Sequence, residues 1–158
     1  MTGTGYLVMK TIHVLAVVLF LGNIIVGIFW KLHADRSGDP RIIAYTVAGI
    51  IRADRWFTMP AAILLVVFGF GAAGIGRVSL ASPWIAWSIV LIVISALAFM
   101  FKLTPLQRRM LAVARAAADG GELDAATYAR LSSSWALWGS VATIAPLIAL
   151  VLMVFKPA

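Results

Sequence analysis

Apolar and polar positions fall along this chain in long blocks, not in the short alternation of a half-buried strand. From Gly5 to Leu32 it reads GYLVMKTIHVLAVVLFLGNIIVGIFWKL, with no ionisable side chain between Val14 and Trp30. At about 1.5 Å of rise per residue, such a stretch crosses a hydrocarbon layer of roughly 30 Å as one helix. It is too long for the apolar region of a signal peptide, about 7–15 residues, and no small-residue cleavage site follows it. Three further apolar blocks complete the pattern, predicting spans over residues 6–30, 57–77, 84–103 and 135–155.

Amphipathic stretches join these blocks. HADRSGDP reads as a turn, with Asp39-Pro40 as N-cap and first helical residue. Ile42, Ile43, Val47, Ile50 and Ile51 then recur at helical spacing, predicting a helix over 40–56 that bends into the second span at Pro60. Ser82-Pro83 and Asp124 are the next N-cap signals, and Pro105 opens a basic amphipathic connection over 105–134 with a stop at Gly120-Gly121. The expected fold is all-α: one transmembrane domain, an integral membrane four-helix bundle with helical extensions on the cytoplasmic side.

Composition sharpens this reading. Hydrophobic residues make up 63% of the 158 and charged residues only 12%, which excludes an ordinary soluble domain. The net charge of +7 does not point to nucleic acid, because the basic residues gather at helix ends. Lys31, Arg36, Arg41, Arg52 and Arg55 occupy the first connection, and Lys102, Arg108, Arg109, Arg115 and Arg130 the third. The opposite side holds only Lys10, Arg77 and Lys156, so the positive-inside rule puts connections one and three in the cytoplasm and both termini on the outer face. Its first partner is the lipid bilayer. With no cysteine there is neither a thiolate metal site nor a C-x-x-C-H haem attachment.

His13 is the chemically distinctive residue, since an ionisable ring at membrane depth is a functional candidate by default. Helix direction places Lys10 one turn outward of it, with Arg77, Trp84 and Trp87 at a similar depth on later helices. An imidazole with cations above it and aromatics beside it suits haem b: His13 as the metal ligand, Lys10 or Arg77 at the propionates, Trp84 and Trp87 as walls. The bland alternative is a histidine bonded to a neighbouring helix and a snorkelling lysine. His33, twenty residues further along the same helix and roughly 30 Å away, is excluded from that site. The second axial position falls to Met153, another polar side chain, water, or His13 of a second copy, so a homodimer or another membrane redox protein is an expected partner.

Two other classes of function compete. A metal or solute permease is disfavoured because the methionines form no close pair and the expected spans carry no Asp or Glu. A non-catalytic membrane subunit or assembly factor would pack through Gly22, Gly27 and the stripe from Gly69 to Gly76. Gly69, Gly71 and Gly74 match G-x-G-x-x-G but lack the strand and helix a dinucleotide site needs, so they read as packing. Asn23 reads as an interhelix contact. Lys31, Arg52, Arg55 and Trp56 read as headgroup anchors, with Asp54 paired to a basic neighbour.

YLVMKTIHVLAVVLFLGN, HADRSGDPRIIA, IRADRWFTMPA, SPWIAWS and LVLMVFKP together resemble the bacterial integral-membrane family catalogued as domain of unknown function twenty-two sixty-nine, over nearly the whole chain. The K-T-x-H-V-L opening is also similar to the first helix of copper-resistance-D-like proteins and of HemJ-type protoporphyrinogen oxidases. The latter resemblance implies a haem-binding membrane oxidoreductase whose essential first-helix histidine corresponds to His13. It also implies a lysine on a later helix, nearest to Lys102, which the topology places at the opposite membrane face from His13.

Overall fold

Long apolar runs fold here into four rods, each long and apolar enough to cross a membrane. The computed structural model describes residues 3–157. α1 spans Thr4–Ser37 and α2 Pro40–Ala53; a five-residue π-helical turn, Asp54–Thr58, joins α2 without a break to α3, Met59–Ile75. α4 (Pro83–Ala98), a second π turn (Phe99–Leu103) and α5 (Thr104–Ala118) form the next rod, and α6 (Ala125–Phe155) the last.

Several boundaries follow the expected signals. The Asp39 side chain accepts from Arg41 N and that of Asp124 from Thr127 N, so both cap as their positions imply. Ser82 occupies the N-cap position before Pro83, but its side chain makes no capping bond. The expected turn HADRSGDP shrinks to two residues: α1 continues through His33 to Ser37 and stops where Gly38 takes φ 64°. Charged residues at a helix end are no barrier to helix once they lie beyond the hydrocarbon; the left-handed glycine is the true stop.

Pro60 and Pro105 do not divide their rods. Each stands two residues beyond a π turn, which absorbs the missing N–H without breaking the helix. In the second turn Thr104 Oγ1 also donates to Phe99 O, at 3.1 Å. Pro146, inside α6, leaves Ala142 O without its helical donor, and Ser95 Oγ of α4 supplies one at 2.7 Å.

The rods pair as two long antiparallel hairpins. In the first, Gly27 lies near Ile50, Asn23 bonds Thr58, and His13 bonds Leu65. In the second, Lys156 stands over Trp84, Ser88 bonds Ala149 O, and Gly139 faces Leu103. The hairpins meet only towards the end that carries the Gly38 turn and the 119–124 loop, here called the basic end. There α2 packs on α5 around Ile43, Val47, Met110 and Ala114, all at most 2% exposed. Toward the terminal end no Cα of α1 or α3 comes within 8 Å of α4.

A polar clamp closes the basic end. Lys31 of α1, 2% exposed, pairs with Asp35 and donates to Ser132 Oγ of α6 at 2.7 Å. Asp35 also accepts from Tyr128 Oη at 2.7 Å and from Ser132 Oγ at 3.0 Å. The Lys31 ammonium lies 5.0 Å from the Trp135 ring centroid, within cation–π range. Lys31 is therefore not the headgroup anchor its sequence position suggested. It falls on the stripe of α1 that faces α6.

Because the ammonium is enclosed and Asp35 only partly so, truncating Lys31→Ala should cost about 2–3 kcal/mol, at the lower end for breaking a buried pair. The double change Lys31→Met, Asp35→Leu should recover most of that loss. Apparent melting temperature in detergent, followed by circular dichroism, checks both; equal losses in the single and double variants would contradict the clamp.

Candidate functional site

The His13 imidazole is held by the first hairpin alone. Its Nδ1 lies 2.8 Å from Leu65 O of α3. A carbonyl only accepts, so Nδ1 is the donor of this bond, and Nε2 engages in no hydrogen bond among the described residues. Glycines make the room. A Cβ on Gly69 would lie 3.0 Å from His13 Cε1 and Nδ1, on Gly71 3.1 Å from Met9 Sδ, and on Gly76 2.9 Å from a Tyr6 ring carbon. Gly69 and Gly71, the first two glycines of the G-x-G-x-x-G letters, and Gly76 beyond them are thus side-chain seats for α1. Gly22 and Gly74 have nothing within 4 Å.

The remaining expected site residues divide between the hairpins. Lys10 is exposed one turn outward of His13, its ammonium 6.0 Å from the Tyr6 ring. Arg77 is exposed at the terminal end of the same hairpin, in a left-handed conformation with φ 51°. Trp84 and Trp87 belong to α4, which does not pack on α1; Trp84 sits beneath Lys156 at 5.5 Å, and Trp87 is 63% exposed. Neither packs on the hairpin that carries His13. Met153, on α6, is likewise in the other hairpin. His33 is exposed near the basic end beside Phe29 and Trp30, and Lys102 lies over Trp138 at 5.2 Å in the second hairpin.

A second polar cluster, unforeseen as a unit, lies where the hairpins join. Asp54, expected to pair with a cation, has none. Its Oδ1 accepts from Thr58 Oγ1 at 2.9 Å and from Asn23 Nδ2 at 3.4 Å, and its Oδ2 from Gln107 Nε2 of α5 at 2.8 Å. Asn23 also donates to Thr58 Oγ1 at 2.8 Å, so its interhelix role holds. Asp54, Thr58 and Gln107 are all buried. Asn23 lies eight residues before Lys31 on α1, about 12 Å along the axis, so the carboxyl stands on the basic-end side of the apolar run that begins at Phe57.

Together, the described residues hold no cluster of three or more His, Cys, Asp or Glu fit for a metal ion, leaving His13 as a lone imidazole donor. A family model described as "Predicted integral membrane protein (DUF2269)" matches residues 7–157. No curated protein and no solved structure matches the chain.

Gly69 and Gly74 provide a matched pair. Gly69→Ala should drive a methyl into the imidazole and cost about 1–3 kcal/mol, as overpacking does. Gly74→Ala, with open space, should be neutral or stabilising by up to about 1 kcal/mol through helix propensity. Melting temperatures of the two variants in one detergent check the ordering; a Gly69→Ala protein as stable as Gly74→Ala would show that the imidazole is not seated there.

Proposed function

The chain belongs to the DUF2269 family of predicted integral membrane proteins, and from that premise we propose that it binds haem b through His13 and serves electron transfer or a small redox reaction in the membrane. The observation that carries the reading is the bond from Nδ1–H to Leu65 O at 2.8 Å. Ligating histidines are held in this way, with one ring nitrogen tied to a carbonyl so that the other keeps its lone pair for the metal. The HemJ-like opening around His13 supports the same assignment.

Haem, when bound, supplies one-electron chemistry whose potential depends on the axial ligand and its surroundings. The chain's own contribution is to fix the imidazole tautomer through Leu65 and Gly69 and to present Lys10 and Arg77 to propionates. Among the chain's own residues, His13 would be the one to hold the iron. By charge asymmetry the basic end faces the cytoplasm of a bacterial inner membrane and the termini face outward.

Purified protein supplemented with haem should show a Soret band that is lost in His13→Ala and weakened in occupancy, though not abolished, in Lys10→Ala. Absence of the band, or a band unchanged in His13→Ala, would overturn the reading.

A further inference from the structure

Asp54 and Gln107 border a partly open cavity of about 30 Å³ at the junction of the hairpins, lined further by Asn23, Gly139 and Trp135. Space of that size holds one water molecule. Trp135 is 6% exposed, and its indole Nε1 is the one buried side-chain polar atom without a hydrogen-bond partner among the described residues. An orphaned N–H costs about 1–3 kcal/mol, and native interiors seldom leave one unmet. Trp135 and Asp54 both line this space, so a residue whose indole donor lacks an acceptor borders the same cavity as a carboxyl contacted only by neutral groups. Water is the ligand that accepts from an indole and still donates to a carboxyl or amide oxygen.

We propose that this cavity binds one water molecule between the Trp135 N–H and the Asp54 carboxyl, and that Asp54 takes up and releases a proton through it. The step is an acid–base exchange with bulk water: hydronium protonates the carboxylate and leaves water behind, and the reverse returns the proton. The protonated acid donates to Thr58 Oγ1, or to Gln107 once its amide is turned. No other charge serves the carboxyl. On α1, Lys31 is engaged by Asp35, and Tyr128 of α6 also bonds Asp35. Lys102 of the second π turn lies over Trp138. Arg52 and Arg55 of the carboxyl's own rod, and Arg108 and Arg109 of α5, are exposed. The only ion pair among the described residues is that of Lys31. A buried carboxyl without a counter-charge favours its neutral form, so it is suited to carry a proton.

The proposal is independent of haem and is tested on the full chain without it, in phosphatidylcholine nanodiscs, by infrared spectroscopy. The expected result is a protonated-carboxyl C=O stretch that persists at pH values above the ordinary carboxylate range. It should shift in D₂O and vanish in Asp54→Asn. Trp135→Phe keeps the ring and removes the N–H, so it should move the band while leaving the fold intact; this assigns the carboxyl even if Asp54→Asn fails to accumulate. No band at such pH, or a band blind to D₂O, would overturn proton exchange at Asp54. A band unmoved by Trp135→Phe would overturn the bridging water.

Discussion

The joint between the two hairpins depends on polar groups that have nowhere else to go. Within hydrocarbon, one apolar helix face gains little by leaving lipid for another, so packing shape and hydrogen bonds decide which helices associate. Each hairpin meets that requirement internally, through small residues and side-chain-to-backbone bonds such as Ser95 to Ala142 O. Between hairpins the equivalent contacts are Lys31 and Asp35 with Ser132 and Tyr128, and Asp54 with Gln107. Separating the hairpins would leave these groups without their partners. The rods of 34 and 36 residues extend about 51–54 Å, well beyond a hydrocarbon layer of about 30 Å. Their excess length carries the α2 and α5 faces toward water, where ordinary apolar burial adds to the polar contacts.

The two prolines that follow the π turns shape this junction. Asp54 begins the first π turn, and Gln107 comes two residues after Pro105. A π turn shifts the facing register by a fraction of a turn. It thereby connects an amphipathic segment, with one stripe turned to α5, to a membrane segment whose inward stripe faces α1. The same device appears in both bent rods at the same spacing from its proline, although the straight rod comes first in one hairpin and second in the other.

Much of this architecture was legible in the residues. Block lengths fixed four crossings, and Asp39 and Asp124 marked helix starts because short-range capping needs no tertiary information. His13 declared itself by its apolar surroundings. What escaped was a matter of facing. Ile43, Val47, Asp54, Thr58, Ala61 and Leu65 form one stripe at helical spacing, buried from end to end. Leu103, Gln107, Met110 and Ala114 form another. Continuing those stripes past the apolar members would have exposed Asp54 and Gln107 as inward residues, and the stripe Ala16, Phe20, Lys31, Ala34 would have done the same for Lys31. Sorting them by charge alone sent Lys31 to the headgroups and Asp54 to a basic partner. The separation of α1 from α4 had no local signal, because it depends on contacts that do not form.

A body fastened at one end only behaves mechanically like a pair of tweezers. From Asn23 to Gly5 the free arm of α1 measures about 27 Å, so a rotation of roughly 10° at the fastening moves its tip by about 5 Å. Gains or losses of a single hydrogen bond near Asn23 are thus geared up into displacements as wide as a helical turn at the far tips.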